Sequence, residues 1–123
     1  MIKVVYIVRR RADFSPKDFY QRWLSHGPLV RDLAEAIHAR RYIQSHTIDT
    51  PLNEQFAQSR GMGQPYDGIT EVWWDTLDEL VAGMNTPEGQ TAHERLLEDE
   101  REFIDLARSF IFLTEEHPIF DRR

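Results

Sequence analysis

The chain has 123 residues, of which 41% are hydrophobic and 29% charged, and its formal net charge is −6. That composition excludes a disordered chain, and the length excludes a second independent core. An acidic balance offers no basic face for nucleic acid, no uncharged run exceeds eight residues where a membrane span needs about 20, and the absence of cysteine excludes disulfides and thiolate chemistry.

Residues 2–10 alternate loosely, with Ile2, Val4, Tyr6 and Val8 on one face and Val5 and Ile7 on the other, which predicts a central strand covered on both sides. Met1–Val5 lacks the charged, apolar and small-residue order of a secretory leader, so a cytoplasmic location is expected. The basic run Arg9-Arg10-Arg11 reads as a solvated strand end facing acidic segments of this chain or a partner. Residues 1–41 carry a net charge of +5 and the remainder −11.

Ser15-Pro16 reads as an N-cap and first helical residue, because proline's missing N–H costs nothing there. Phe19, Trp23, His26, Val30, Leu33 and Ile37 then follow at spacings of four, three, four, three and four, one continuous helical stripe. Gly27-Pro28 interrupts it, and proline at 28 predicts a kink or a stop and restart immediately after His26. Arg40–Ile48 reads as a second strand, with Tyr42, Gln44, His46 and Ile48 on one face. The polar stretch 49–66, with two prolines and two glycines, reads as a lid-like or mobile loop.

Gly68–Asp75 is a third strand, and Thr76-Leu77-Asp78-Glu79 is a capping box opening a short helix with Leu77, Leu80, Val81 and Met84 inward. Thr86-Pro87 restarts a helix whose later turns bury Leu96, Leu97, Phe103, Ile104 and Ala107, and Phe110–Thr114 is a fourth strand. The order β-α-β-β-α-β predicts a single α+β domain over residues 1–123, ferredoxin-like, with a four-stranded antiparallel sheet and helices on one face. Helices cover only one face, yet the strands are apolar on both, with Trp73 and Trp74 on opposite sides. A second copy packing sheet against sheet, as a two-fold homodimer, resolves this.

His26 is the first candidate for chemistry. It points at the sheet from a stripe of apolar residues, while a helix end favours its charged form and apolar surroundings its neutral form. It is poised either for proton transfer or for capping the helix break. Tyr42 is the natural companion, since a phenol can donate to a carbonyl or enolate oxygen. His46 shares its face. Glu71 orients a base or acts as one, or else pairs with an arginine from the basic N-terminal half. Glu100 and His93 interrupt the last helix's apolar stripe and read as boundary residues.

The closest histidines are eight residues apart, so no helical metal-ligand pair exists and no metal is expected. Gly61-x-Gly63 is followed by Gln64-Pro65 rather than a helix, which fails the context for cradling phosphate. Phe19, Trp23, Tyr42, Trp73 and Trp74 read as core or as the wall of a pocket for a planar, apolar ligand.

Phe19-x₃-Trp23-x₂-His26-Gly27-Pro28-Leu29-Val30, then Tyr42 and His46, Glu71-Val72-Trp73-Trp74, and Phe110 through Glu116 resemble EthD-domain proteins over roughly residues 2–117. The resemblance implies membership of the dimeric α+β-barrel superfamily, with a pocket between each sheet and its helices. Similar proteins include methylmuconolactone isomerases and polyketide dehydratases or cyclases, which use a histidine at the end of the first helix and, in the isomerases, a tyrosine from the next strand. Those positions are His26 and Tyr42. The expectation is a cofactor-independent acid–base enzyme acting on a small hydrophobic carbonyl or polyketide-like metabolite, with Phe19, Trp23, His46, Glu71 and Trp73 binding the substrate. The alternatives are a non-catalytic ligand-binding protein of a degradation or biosynthesis pathway, and an oxidoreductase or monooxygenase, haem-dependent through His26 or His117 or free of cofactor.

Overall fold

Alternation of β-branched and aromatic residues builds the sheet, and a serine or threonine cap starts each of the four helices around it. The computed structural model describes residues 1–123 as β1 (Ile2–Val8), α1 (Pro16–Leu33), β2 (Arg41–His46), α2 (Pro51–Ser59), β3 (Gly68–Trp74), α3 (Leu77–Met84), α4 (Pro87–Arg101) and β4 (Phe110–Glu115). The strands form one antiparallel sheet in the order β2-β3-β1-β4. This is the expected α+β, ferredoxin-like arrangement. No helix is long and apolar enough to cross a membrane.

Register decides which residues meet. Val4 pairs with Val72 and Tyr6 with Thr70, while Tyr42 pairs with Val72, so these side chains share one face of the sheet. That face meets the helices. The core there is divided in two: Tyr6, Val8, Phe19, Trp23, Phe103 and Ile104 form one cluster, and Val30, Ile37, Trp74, Leu80, Ala92 and Leu96 the other. The opposite face carries Lys3, Val5, Ile7, Ile43, Ile69, Glu71, Trp73, Phe110 and Phe112, and no helix covers it.

Four local expectations change. Helix α1 runs unbroken through Pro28 to Leu33. Pro28 and Leu24, whose carbonyl loses its partner, both lie on the solvent side, so water takes that hydrogen bond and the helix continues despite a proline cost of about 3 kcal/mol. The 49–66 stretch holds α2, started by Thr50, whose hydroxyl accepts from the Leu52 amide, with Pro51 at its first turn. In α3 only Leu80 of the four apolar positions is buried, while Leu77, Val81 and Met84 are about half exposed. Phe103 and Ile104 are buried but lie beyond the end of α4, and Ala107 sits exposed in a 3₁₀ turn, Leu106–Arg108.

The α3–α4 corner depends on glycine. A Cβ on Gly89 would stand 1.6 Å from the Gly83 carbonyl oxygen, and one on Gly83 would stand 2.3 Å from that of Ile37. Backbone therefore packs directly on backbone at both places.

Candidate functional site

Between the two core clusters lies a cavity of about 430 Å³, bounded by α1, α3, α4 and the helix-facing side of the sheet. Nineteen residues line it, and only His26, Thr70, His93 and Glu100 are not hydrophobic. Polar groups in such surroundings act with little competition from water.

The stripe of α1 turns Trp23, His26 and Val30 inward, and His26 is 5% exposed. Its Nδ1 lies 2.5 Å from Oδ2 of Asp99 on α4. Arg22, one helical turn before His26, grips the same carboxylate through both terminal nitrogens, at 2.6 Å and 3.2 Å. Burial tends to raise the Asp99 pKa, but hydrogen bonds and charge from Arg22 and His26 outweigh it and hold the carboxyl below its usual range. It is therefore ionised near neutrality and accepts from His26.

For His26 the balance falls the other way. Burial lowers its pKa, the Asp99 hydrogen bond and charge only partly offset that, and Arg22 lowers it further. The ring is neutral at pH 7, with its proton on Nδ1 directed at Asp99 and its lone pair on Nε2. This is the tautomer of a general base.

Tyr42 is fixed by a short polar chain. Gln44 donates from Nε2 to the Tyr42 hydroxyl at 2.7 Å and to the Trp23 carbonyl at 2.8 Å, and its Oε1 lies 2.8 Å from His46 Nε2. An amide oxygen only accepts, so His46 carries its proton on Nε2. Because the Tyr42 oxygen already accepts, its own O–H remains to donate. Burial raises the Tyr42 pKa, while hydrogen bonds with Gln44, Thr70 and Trp23 moderate the rise, so it stays a phenol.

Glu100 borders the same cavity beside Tyr6. Burial pushes its carboxyl up to about 7; the Tyr6 hydrogen bond pulls against this and the Asp99 charge adds to it. Burial and Glu100 together push the Tyr6 phenol up as well. His93 also reaches the cavity wall, and its buried Nε2 has no hydrogen-bond partner. Burial lowers the His93 pKa. Glu100 and His93 are thus cavity residues rather than boundary residues of α4.

Of the side chains singled out from the sequence, His26, Tyr42 and Trp23 meet at this cavity. Phe19 is fully buried behind Trp23, with ring centroids 5.4 Å apart, and does not reach it. His46 is stacked between Trp23 and Tyr20, at 4.4 Å and 4.9 Å, and buttresses the wall instead of lining it. Glu71 and Trp73 stand on the other face of the sheet, because the strand alternation turns Thr70, Val72 and Trp74 toward the helices. There Glu71 accepts from Lys3 at 2.6 Å, and Trp73 donates to Glu116 at 2.8 Å.

His117 is exposed on the C-terminal segment beside Glu115. No group of three or more histidine, aspartate or glutamate side chains converges in a way that would hold a metal ion.

Asp99, Glu100, Tyr6 and Thr70 are not among the site residues expected from the sequence. The signal for Glu100 is its spacing of four from Leu96 and seven from His93, one face of α4. Asp99 lies off that face, and only the crossing of α1 over α4 brings it to His26.

Among known proteins, the EthD domain family model matches residues 11–107. An ethyl tert-butyl ether (EthD) family protein from Bacillus halodurans superposes with a TM-score of 0.62 at 19% identity, over 95% of this chain and 99% of that one. A dimeric protein of ferredoxin-like fold from Bacteroides fragilis gives 0.58 at 15%, over 94% and 95%. A point mutant of SnoaB from Streptomyces nogalater, a cofactor-independent oxygenase, gives 0.53 at 12%, over 98% and 97%. No curated protein sequence matches the chain.

Proposed function

The chain belongs to the EthD domain family, and from that premise we propose that it is a cofactor-independent acid–base enzyme acting on a small hydrophobic carbonyl compound. The observation that carries this reading is the buried imidazole of His26, held through Nδ1 by Asp99 at the wall of an apolar cavity. Nε2 of His26 removes a proton from the carbon next to the carbonyl. The Tyr42 hydroxyl donates to the oxygen that becomes the enolate, and Trp23 provides a flat wall for the apolar part of the substrate. A low-dielectric cavity strengthens both interactions, and each positioned proton carrier of this kind supplies about 10²–10⁴-fold in rate.

The test is exchange of the α protons of benzylacetone in D₂O, followed by proton NMR. His26→Ala is expected to slow it at least about 10²-fold while far-UV circular dichroism stays unchanged. Equal exchange in the variant and the parent would remove the base from the mechanism. A passive carrier for the same class of ligand would bind benzylacetone and exchange nothing.

The proposal extends to assembly: a second copy covers the helix-free face of the sheet. Its support is the apolar patch itself, where Phe110 and Phe112 are 58% and 48% exposed beside Val5, Ile7, Ile43 and Ile69, the kind of contiguous apolar surface that marks an interaction face. Light scattering is expected to give twice the chain mass of 14.6 kDa, and Phe112→Glu, which buries an unpaired charge in that interface, to give the single-chain mass. A monomeric parent protein would reject the arrangement.

A further inference from the structure

Asp99 and Glu100 are neighbours on α4, about 100° apart around the helix, so their carboxyls face different surroundings. Asp99 meets Arg22 and His26 and is ionised. Glu100 has no cation beside it: Arg22 is committed to Asp99, and the titratable groups that share the cavity with Glu100 are Tyr6 from β1, Tyr42 from β2, His26 from α1 and His93 two turns earlier on α4, with Asp99 alongside. A carboxyl placed this way keeps its proton to near neutrality. It can then donate, which an ionised carboxylate cannot. The cavity thus holds a base without its proton and an acid with its proton, the division that acid–base pairs in enzymes require.

We propose that Glu100 is the general acid of this cavity, protonating a departing hydroxyl, with Tyr6 as its positioning residue, so that the substrate class is a β-hydroxy carbonyl compound that loses water. The inference rests on the reading of His26 as the base. Nε2 of His26 takes the α proton, and the electron pair of that C–H bond becomes the new C=C bond by way of the enolate held by Tyr42. The Cβ–O bond breaks with its pair on oxygen, and the Glu100 proton joins that oxygen. The products are an α,β-unsaturated carbonyl compound and water, with an imidazolium at His26 and a carboxylate at Glu100. Transfer of the proton from His26 to Glu100 through the water just formed, or by way of solvent, restores both groups. No oxidant or reductant is consumed.

The experiment uses the aldol of benzaldehyde and acetone, a β-hydroxy ketone whose dehydration to benzylideneacetone is followed by ultraviolet absorbance, together with its O-acetyl ester. Acetate leaves without needing a proton. Glu100→Gln is expected to slow elimination of water about 10²-fold or more and elimination of acetate by less than about 10-fold. It also removes the alkaline decline of the pH–rate profile, centred near the Glu100 value of about 7. Tyr6→Phe is expected to shift that decline without abolishing turnover. Independently of activity, Glu100→Gln is more stable than the parent above pH 7, because the parent must ionise a carboxyl that folding disfavours.

Equal losses for both leaving groups, an unchanged rate of water elimination, or a parent protein that exchanges the α protons of benzylacetone but forms no enone would each overturn the role of Glu100 and leave His26 standing. Absence of exchange in the parent would remove the base, and with it this assignment.

Discussion

Asp99→Asn lowers turnover by about 10²–10⁴-fold while the chain folds normally, the expected size for loss of a base. Asparagine has nearly the shape of aspartate, so the α1–α4 packing persists. The difference is in protons. Asp99 accepts hydrogen bonds from both Arg22 and His26, but an asparagine has one accepting oxygen and one donating nitrogen. Arg22 can only donate, so it claims the oxygen and leaves the amide N–H facing Nδ1 of His26. The ring must then accept at Nδ1 and carry its proton on Nε2. The lone pair disappears from the cavity side.

The pH dependence carries a second sign. In the parent, protonation of His26 inactivates the base, so activity falls as pH drops through a value below the ordinary histidine range. Loss of the Asp99 charge removes the main influence raising that value, so whatever activity remains in the variant persists to lower pH. Steady-state rates across pH 4–9, with ¹⁵N shifts of the imidazole reporting the tautomer, check both points. A variant with the parent's turnover and tautomer would detach Asp99 from the chemistry.

Gly89→Ala costs on the order of 3–5 kcal/mol, a large share of a usual stability of 5–15 kcal/mol. Two effects oppose each other. Alanine is favoured over glycine within a helix by about 1 kcal/mol. Against that, the new methyl would sit 1.6 Å from the Gly83 carbonyl oxygen, and the obstacle is backbone rather than a side chain that can swing aside. Helix α3 cannot retreat freely, because Gly83 is itself pressed against the backbone of Ile37, and Trp74 donates its indole N–H to the Ile37 carbonyl at 2.8 Å. The clash wins by a wide margin. Urea unfolding read by tryptophan fluorescence measures it, and a loss under about 1 kcal/mol would show that α3 shifts without resistance.

Much of this architecture is legible in the residues. The Phe19–Ile37 stripe locates His26 on the buried side of α1, and Thr76 caps α3 as its spacing from Glu79 predicts, its hydroxyl accepting from the Glu79 amide. The element order follows from such local signals. What escapes is what local signals do not encode. Proline at 28 says that a hydrogen bond is lost, but not that the lost partner faces water and the helix can therefore continue.

In β3, apolar residues at both parities leave the inward face undetermined, so the sequence alone groups Glu71 and Trp73 with the pocket while Thr70 and Trp74 actually face the helices. Glu100 and His93 resemble boundary residues because polarity in an apolar stripe ordinarily marks the edge of burial. A cavity inverts that rule, since it needs polar groups pointing inward. The distinction depends on how α1 and β1 lie against α4, a long-range property that no window of the sequence contains.

The Arg22–Asp99–His26 contact is also the charged tie between the first and last long helices. Whatever tightens or loosens the seam between them moves the imidazole with it. Selection for heat resistance that exchanged this trio for well-packed aliphatic residues would yield a hardier but inert scaffold, whereas a library sparing these three positions and varying Leu77 and Val81 of α3, which do not line the cavity, would gain robustness without forfeiting turnover.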